Sequence, residues 1–265
     1  MLPARIDVPP ATYLEQVGTI FARFGDGTQD SGNVSYGVRT ATTQYFVKTA
    51  GDRDNTEAYL GFDDRVGLLR NAAELAHSVS HPTLPALHAV IESPDGPLLV
   101  YAWRAGDLLG RRHPAYERFK ALPTDEIRTA LDTLYELHAA LDAAGWIPGD
   151  FYDSSMLYDF GSRALTVFDL DLYHRGAYRN TMGQMFGSSQ FMAPEEHVLG
   201  APIDTRTTAY VMARTARVLL PEPPPALDEV IVEATTARFP NYRAFYDAWL
   251  TASSTIEESR TNRST

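Results

Sequence analysis

The feature that most constrains the fold is a change of pattern near Ala105-Gly106. Before it, short runs of β-branched and aromatic residues alternate with glycine-rich turns. After it, apolar residues recur at helical spacing. Residues 20–24, 34–38 and 44–48 read as three strands in an antiparallel meander, preceded by a short helix that begins near Pro9-Pro10. A helix is expected over 66–76 and must end by His81-Pro82, because the residue before a proline avoids helical angles. Residues 87–91 and 98–103 read as two further strands, joined by the turn Ser93-Pro94-Asp95-Gly96.

The second half opens with an amphipathic helix over 127–138, carrying Ile127, Ala130, Leu131, Leu134 and Leu137 on one face. Two strands follow, over 156–158 and 165–168. Helices are then expected over 205–220, 226–237 and 241–251, and the run Pro221-Glu222-Pro223-Pro224-Pro225 separates the first two. The expected class is α+β, with a small antiparallel β-rich N-terminal lobe over 1–104 and a mainly helical C-terminal lobe over 105–251. The polar tail, 252–265, is expected to fray.

Composition narrows the function. The chain has 265 residues, a size that allows one large domain or two small ones. A net charge of −11 disfavours non-specific binding to nucleic acid or to an anionic membrane. No apolar run is long enough to span a bilayer, and the N-terminus lacks the apolar core of a signal peptide, so a cytoplasmic protein is expected. Cysteine is absent, which removes disulfides, thiolate metal sites and cysteine nucleophiles.

Several segments carry chemistry. The turn between the first two strands contains Gly25, Gly27 and Gly32, and such glycines let backbone N–H groups approach phosphate oxygens. Its spacing has two more residues between the second and third glycine than the common G-x-G-x-x-G. Lys48 stands in an apolar strand, where its ammonium suits the phosphates of a nucleotide or else snorkels to solvent. Asp150 and Asp153 follow the long helix, and Asp169 and Asp171 follow the hairpin after it. Carboxylates on either side of a hairpin can hold Mg²⁺ and orient a hydroxyl, although aspartates also cap turns. Further on, Glu195 needs a basic partner if buried, and Arg243 is the expected one.

Taken in order, the glycine-rich loop, strand lysine, helix, His81-Pro82, Asp150, Asp169 and Phe191-Met192-Ala193-Pro194-Glu195-Glu196 resemble the protein kinase superfamily over about residues 18–250. The Met-Ala-Pro-Glu stretch resembles the end of the activation segment of Ser/Thr protein kinases, and Pro240-Asn241-Tyr242-Arg243 resembles the late P-x-x-R that pairs with its glutamate. The resemblance implies a bilobal kinase-like fold binding ATP and Mg²⁺. It makes Lys48 the phosphate-binding lysine, Glu74 its helix partner, Asp150 the catalytic aspartate, and Asp169 with Ser155 the metal ligands. Gly25, Gly27 and Gly32 would cradle the phosphates, while Tyr101 and Trp103 would flank the adenine.

The sequence departs from that pattern in places. Pro148-Gly149 precedes Asp150 in place of His-Arg, Ser155 stands for an asparagine, and Asp169-Leu170-Asp171 for D-F-G. Thr208 stands where an aspartate usually braces the catalytic loop. Spacing back from His81 points at Ala72, with Glu74 the nearest acid. Three functions follow: a kinase of protein Ser/Thr hydroxyls, a small-molecule kinase of the antibiotic type, or a pseudokinase that binds nucleotide or partners without efficient turnover. Thr181, Ser188 and Ser189 would lie in the activation segment and be open to phosphorylation. No motif identifies the acceptor or the oligomeric state.

Overall fold

Short β-rich runs with tight turns can bury one face only by pairing with one another. The computed structural model describes residues 2–25 and 31–261, with side chains to 256. Gly27 therefore lies outside the described residues. Chain contacts divide the protein into two compact units, Met1–Ala105 and Gly106–Thr265, and the class is α+β.

The first unit contains α1 (Pro10–Val17), β1 (Thr19–Phe24), β2 (Val34–Arg39), β3 (Gln44–Thr49), α2 (Phe62–Ser78), β4 (Leu87–Ile91) and β5 (Leu98–Ala102). Its strands form one antiparallel sheet in the order β1-β2-β3-β5-β4. Alternation sorts the side chains between the two faces. Val34, Tyr36, Val38, Val47 and Val100 pack with Ile6, Tyr13 and Leu14 of the N-terminal segment. On the other face, Leu99 packs with Leu69, Ala72 and Ala73 of α2. The helix is longer than its apolar period predicts, and it ends at Ser78 with Val79 extended.

One polar residue organises the ends of three segments. Arg65 of α2 is 1% exposed. Its guanidinium donates to the carbonyls of Gly32 (2.8 Å), Ala50 (2.6 Å) and Asp52 (2.9 Å). Three backbone carbonyls thereby gain a charged donor, the Asp52 carbonyl in addition to the Asn55 N–H at 3.3 Å. Gly32 has φ of 92°, and a Cβ there would run into the Ala58 side chain, so glycine is required for the chain to reach Arg65.

The second unit contains β6 (Asp107–Leu108), α3 (Pro114–Lys120), α4 (Thr124–Ala143), β7 (Trp146–Ile147), β8 (Met156–Asp159), β9 (Ala164–Val167), β10 (His174–Arg175), β11 (Tyr178–Arg179), β12 (Pro202–Ile203), α5 (Thr205–Leu219), α6 (Pro225–Thr236) and α7 (Tyr242–Thr261). The face expected on α4 is buried, extended by Tyr135, His138 and Leu141. Tyr135 donates to the Met212 carbonyl of α5, and Tyr242 of α7 donates to the Tyr135 carbonyl. These bonds satisfy buried hydroxyls while their rings fill the core with Phe245 and Trp249.

The expected fraying is corrected over 252–261, where α7 continues to Thr261 and buries Ala252 and Ser253; residues 262–265 lie outside the described residues. Among the described residues no helix is long and apolar enough to cross a membrane.

Replacing Arg65 by methionine keeps the apolar stem and removes three charged hydrogen bonds to backbone carbonyls. We expect a loss of about 3 kcal/mol of stability, read by urea unfolding. A loss under about 0.5 kcal/mol, the ordinary surface value, would show that the arginine is not what ties these segments.

Candidate functional site

The acids of the second unit gather because of three local pairings. The β8–β9 hairpin pairs Met156 with Val167, and the Phe168 amide donates to the Ser155 carbonyl (3.0 Å), which brings the start of β8 beside the residue before Asp169. β7 pairs with β10 through Ile147 and His174. Between these ladders Gly149 lies against the backbone of Leu172, where a Cβ would collide with the Leu172 carbonyl. The missing side chain at 149 thus lets the Asp150 turn approach the segment after Asp169.

Both aspartates adopt left-handed backbone, with φ of 58° at Asp150 and 64° at Asp169. Such angles are strained for a residue with a Cβ and persist only where surroundings enforce them, often at functional sites. Burial pushes the Asp150 carboxyl up to about 7, and the neighbouring charge of Asp169 adds to the shift. Asp169 itself is exposed.

Asp150 lines a narrow crevice with Pro148, Phe151, Phe186, Met192 and Glu196. Glu196 is 3% exposed, accepts the Ala193 N–H at 2.6 Å, and is also pushed up to about 7, chiefly by burial. Beside the crevice, Tyr173 donates to or accepts from His138 Nε2 at 2.9 Å, and His138 Nδ1 meets the Leu134 carbonyl at the same distance. Burial raises the Tyr173 hydroxyl well above its ordinary value, with the charge of Asp150 contributing.

The remaining acid of the loop does not open to solvent. Asp153 is 3% exposed and accepts the Arg111 backbone N–H at 3.2 Å, with the guanidinium Nε 3.8 Å away. Burial raises its carboxyl, and these donors oppose the shift. Ser155 is 2% exposed within the 3₁₀ turn Asp153–Ser155. Asp169 is thus the accessible carboxylate suited to Mg²⁺, an ion that keeps several waters and commonly takes only one or two protein carboxylates. Ser155 fits less well because it is enclosed. Among the described residues, no three His, Cys, Asp or Glu side chains form a ready-made metal cluster. The buried Thr208 hydroxyl finds no hydrogen-bond partner among them.

In the first unit, Lys48 is 5% exposed on β3 and pairs across the ladder with Ser35 and Leu99. Phe46 shares its face by alternation. There Phe46 and Phe21 pack around Trp103, with ring centroids 6.4 Å and 4.8 Å from it. A Cβ on Gly37 would come within 2.8 Å of the Phe21 ring and 3.0 Å of Trp103. Tyr101 pairs with Phe46 and packs on the α2 side. Gly25 is buried beside Val34. Glu74 lies on the exposed side of α2, and Ala72 occupies the side turned to the sheet.

The expected Glu195–Arg243 pair is corrected. Glu195 binds Arg238 through two hydrogen bonds of 2.7 and 3.1 Å, and it accepts the Thr207 hydroxyl at 2.7 Å. Burial pushes the Glu195 carboxyl up, but these partners outweigh it and leave it below its ordinary value. Arg238 reaches Glu195 because it follows α6 in left-handed backbone, φ 73°. Arg243 instead lies on the exposed face of α7 and pairs with Asp247 one turn on. Sequence reasoning also missed Arg111, which belongs to no motif it used, and gave no role to Glu196, which it met only as the last residue of Phe191–Glu196.

Comparison of the chain with protein-family models and with curated proteins found no match.

Removing each arginine distinguishes the two pairings. Arg238→Ala should cost about 2 kcal/mol, because it strips a half-buried carboxylate of two charged donors. Arg243→Ala should cost no more than about 0.5 kcal/mol, as exposed pairs one turn apart do. Equal losses in chemical unfolding would contradict this assignment.

Proposed function

We propose that this chain is an ATP- and Mg²⁺-dependent phosphotransferase of the protein kinase superfamily, with its bilobal fold, acting on protein Ser/Thr hydroxyls. The observation that carries the reading is Asp150: a strained, crevice-lining carboxylate whose proton equilibrium lies near neutrality. A general base is most effective with a pKa close to the working pH. Asp150 accepts the proton of the acceptor hydroxyl as its oxygen attacks. Asp169, exposed beside it, is the carboxylate for the metal. Lys48 supplies a buried ammonium for phosphate oxygens. Magnesium-bound ATP, once in place, supplies the phosphoryl group and its diphosphate leaving group. The match of Phe191–Glu196 to an activation-segment end supports a protein acceptor, and the Glu195–Arg238 pair anchors that segment.

A second reading, a pseudokinase of slow or absent turnover, is favoured by the rings at Phe21, Phe46 and Trp103. Phe46 stands at the alanine position of the V-A-I-K pattern. Its ring crowds the Lys48 face, where the resemblance lays the adenine.

The test is transfer from γ-labelled ATP with Mg²⁺ to protein acceptors and to the chain itself, with products located by mass spectrometry. The parent should transfer phosphate, and Asp150→Asn and Asp169→Asn should each lose about a hundred-fold or more. Nucleotide binding by an inert parent would establish the second reading. Transfer undiminished in both variants would refute the first.

A further inference from the structure

The segment 186–192 is met at two places, once by the Asp150 loop and once by Arg111, whose guanidinium also lies beside Asp153. At the first, Gly187 neighbours Asp150: a Cβ there would sit in van der Waals contact with Oδ1, at 3.5 Å. At the second, Arg111 Nη2 donates to the Ser188 hydroxyl at 3.3 Å. The same residue holds Asp153, three residues past Asp150, through its backbone N–H and the flank of its guanidinium. Arg111 sits in the turn after β6, where Gly110 packs directly against Ser154 and leaves no room for a side chain.

We propose that Arg111 is a positioning residue, a clasp that joins Asp153 to Ser188 and so keeps Gly187 seated against the Asp150 carboxylate. The activity it would affect rests on the phosphotransferase reading, but the clasp itself does not. The chemistry matches the geometry. Asp153 is nearly enclosed and needs a countercharge, and the guanidinium fork can serve an acid and a hydroxyl at once. The Ser188 carbonyl in turn receives the amides of Phe191 (2.8 Å) and Met192 (3.3 Å), so the order of Ser188 is passed directly to those two amides.

Hydrogen exchange of the full chain reads this without any assumption about catalysis. In Arg111→Met, exchange at the Phe191 and Met192 amides should quicken by roughly five-fold, the scale of one modest hydrogen bond. Ser188→Ala should produce a similar change, and the double variant should add little to either alone. Arg111→Met, which also strips the enclosed Asp153 of its countercharge, should lower Tm; Arg111→Lys keeps a charge beside Asp153 but lacks the fork, so it should regain that Tm without regaining the slow exchange. Unchanged exchange in both single variants, or full additivity in the double variant, would overturn the clasp. If the parent transfers phosphate, Arg111→Met should lower kcat several-fold with little change in the KM for ATP. A parent that is inert, yet shows the exchange pattern, would uphold the clasp and refute only the phosphotransferase reading.

Discussion

The arrangement of the second unit turns on a carboxylate held in a place that disfavours its charge. Asp150 sits in left-handed backbone at the edge of a crevice, with Asp169 nearby and Glu196 lining the same walls. Burial disfavours the charged form of both Asp150 and Glu196, and the charges of neighbouring acids add to it, so both are pushed up to about 7. What enforces the placement is backbone: the β7–β10 ladder, the β8–β9 hairpin and the side-chain-free Gly149. The strain is local, while the packing that opposes its release spreads through α4, α5 and α7.

Cations in the two units serve different ends. Arg65 gives its charge to three backbone carbonyls and fixes where the segments around Gly32 and Ala50 meet. Arg238 locks Glu195 after Ala193-Pro194, and Arg111 spans Asp153 and Ser188. Each binds groups far apart in sequence, so each orders a loop that has no ladder of its own. Lys48 differs in place, being buried near the end of β3 opposite Ser35 and Leu99.

Much of the fold was legible because long elements carry a period. The buried stripe of α4 and the alternation of β2 and β3 follow from apolar spacing alone. The two-residue strands β6, β7 and β10–β12 were not, since two residues hold no period, and α3 is only seven residues long. Asp150 and Asp169 stood out through their position around a hairpin, but their left-handed backbone did not. The partner of Glu195 was misread because it depends on the backbone turn at Arg238, which spacing from Pro240 does not encode. Arg65 escaped notice for a related reason: arginine on a helix usually faces water, and only the carbonyls converging on it make burial favourable. In α2 the apolar pattern turned Ala72 to the sheet and left Glu74 exposed.

The most direct measurement is an NMR titration of the Asp150 carboxyl carbon. The account predicts a midpoint near 7 in the parent, so that the group is protonated below that pH and a proton acceptor above it. Asp169→Asn removes the neighbouring charge and should move the midpoint downward. A midpoint at the ordinary aspartate value of about 4, indifferent to Asp169, would contradict the account.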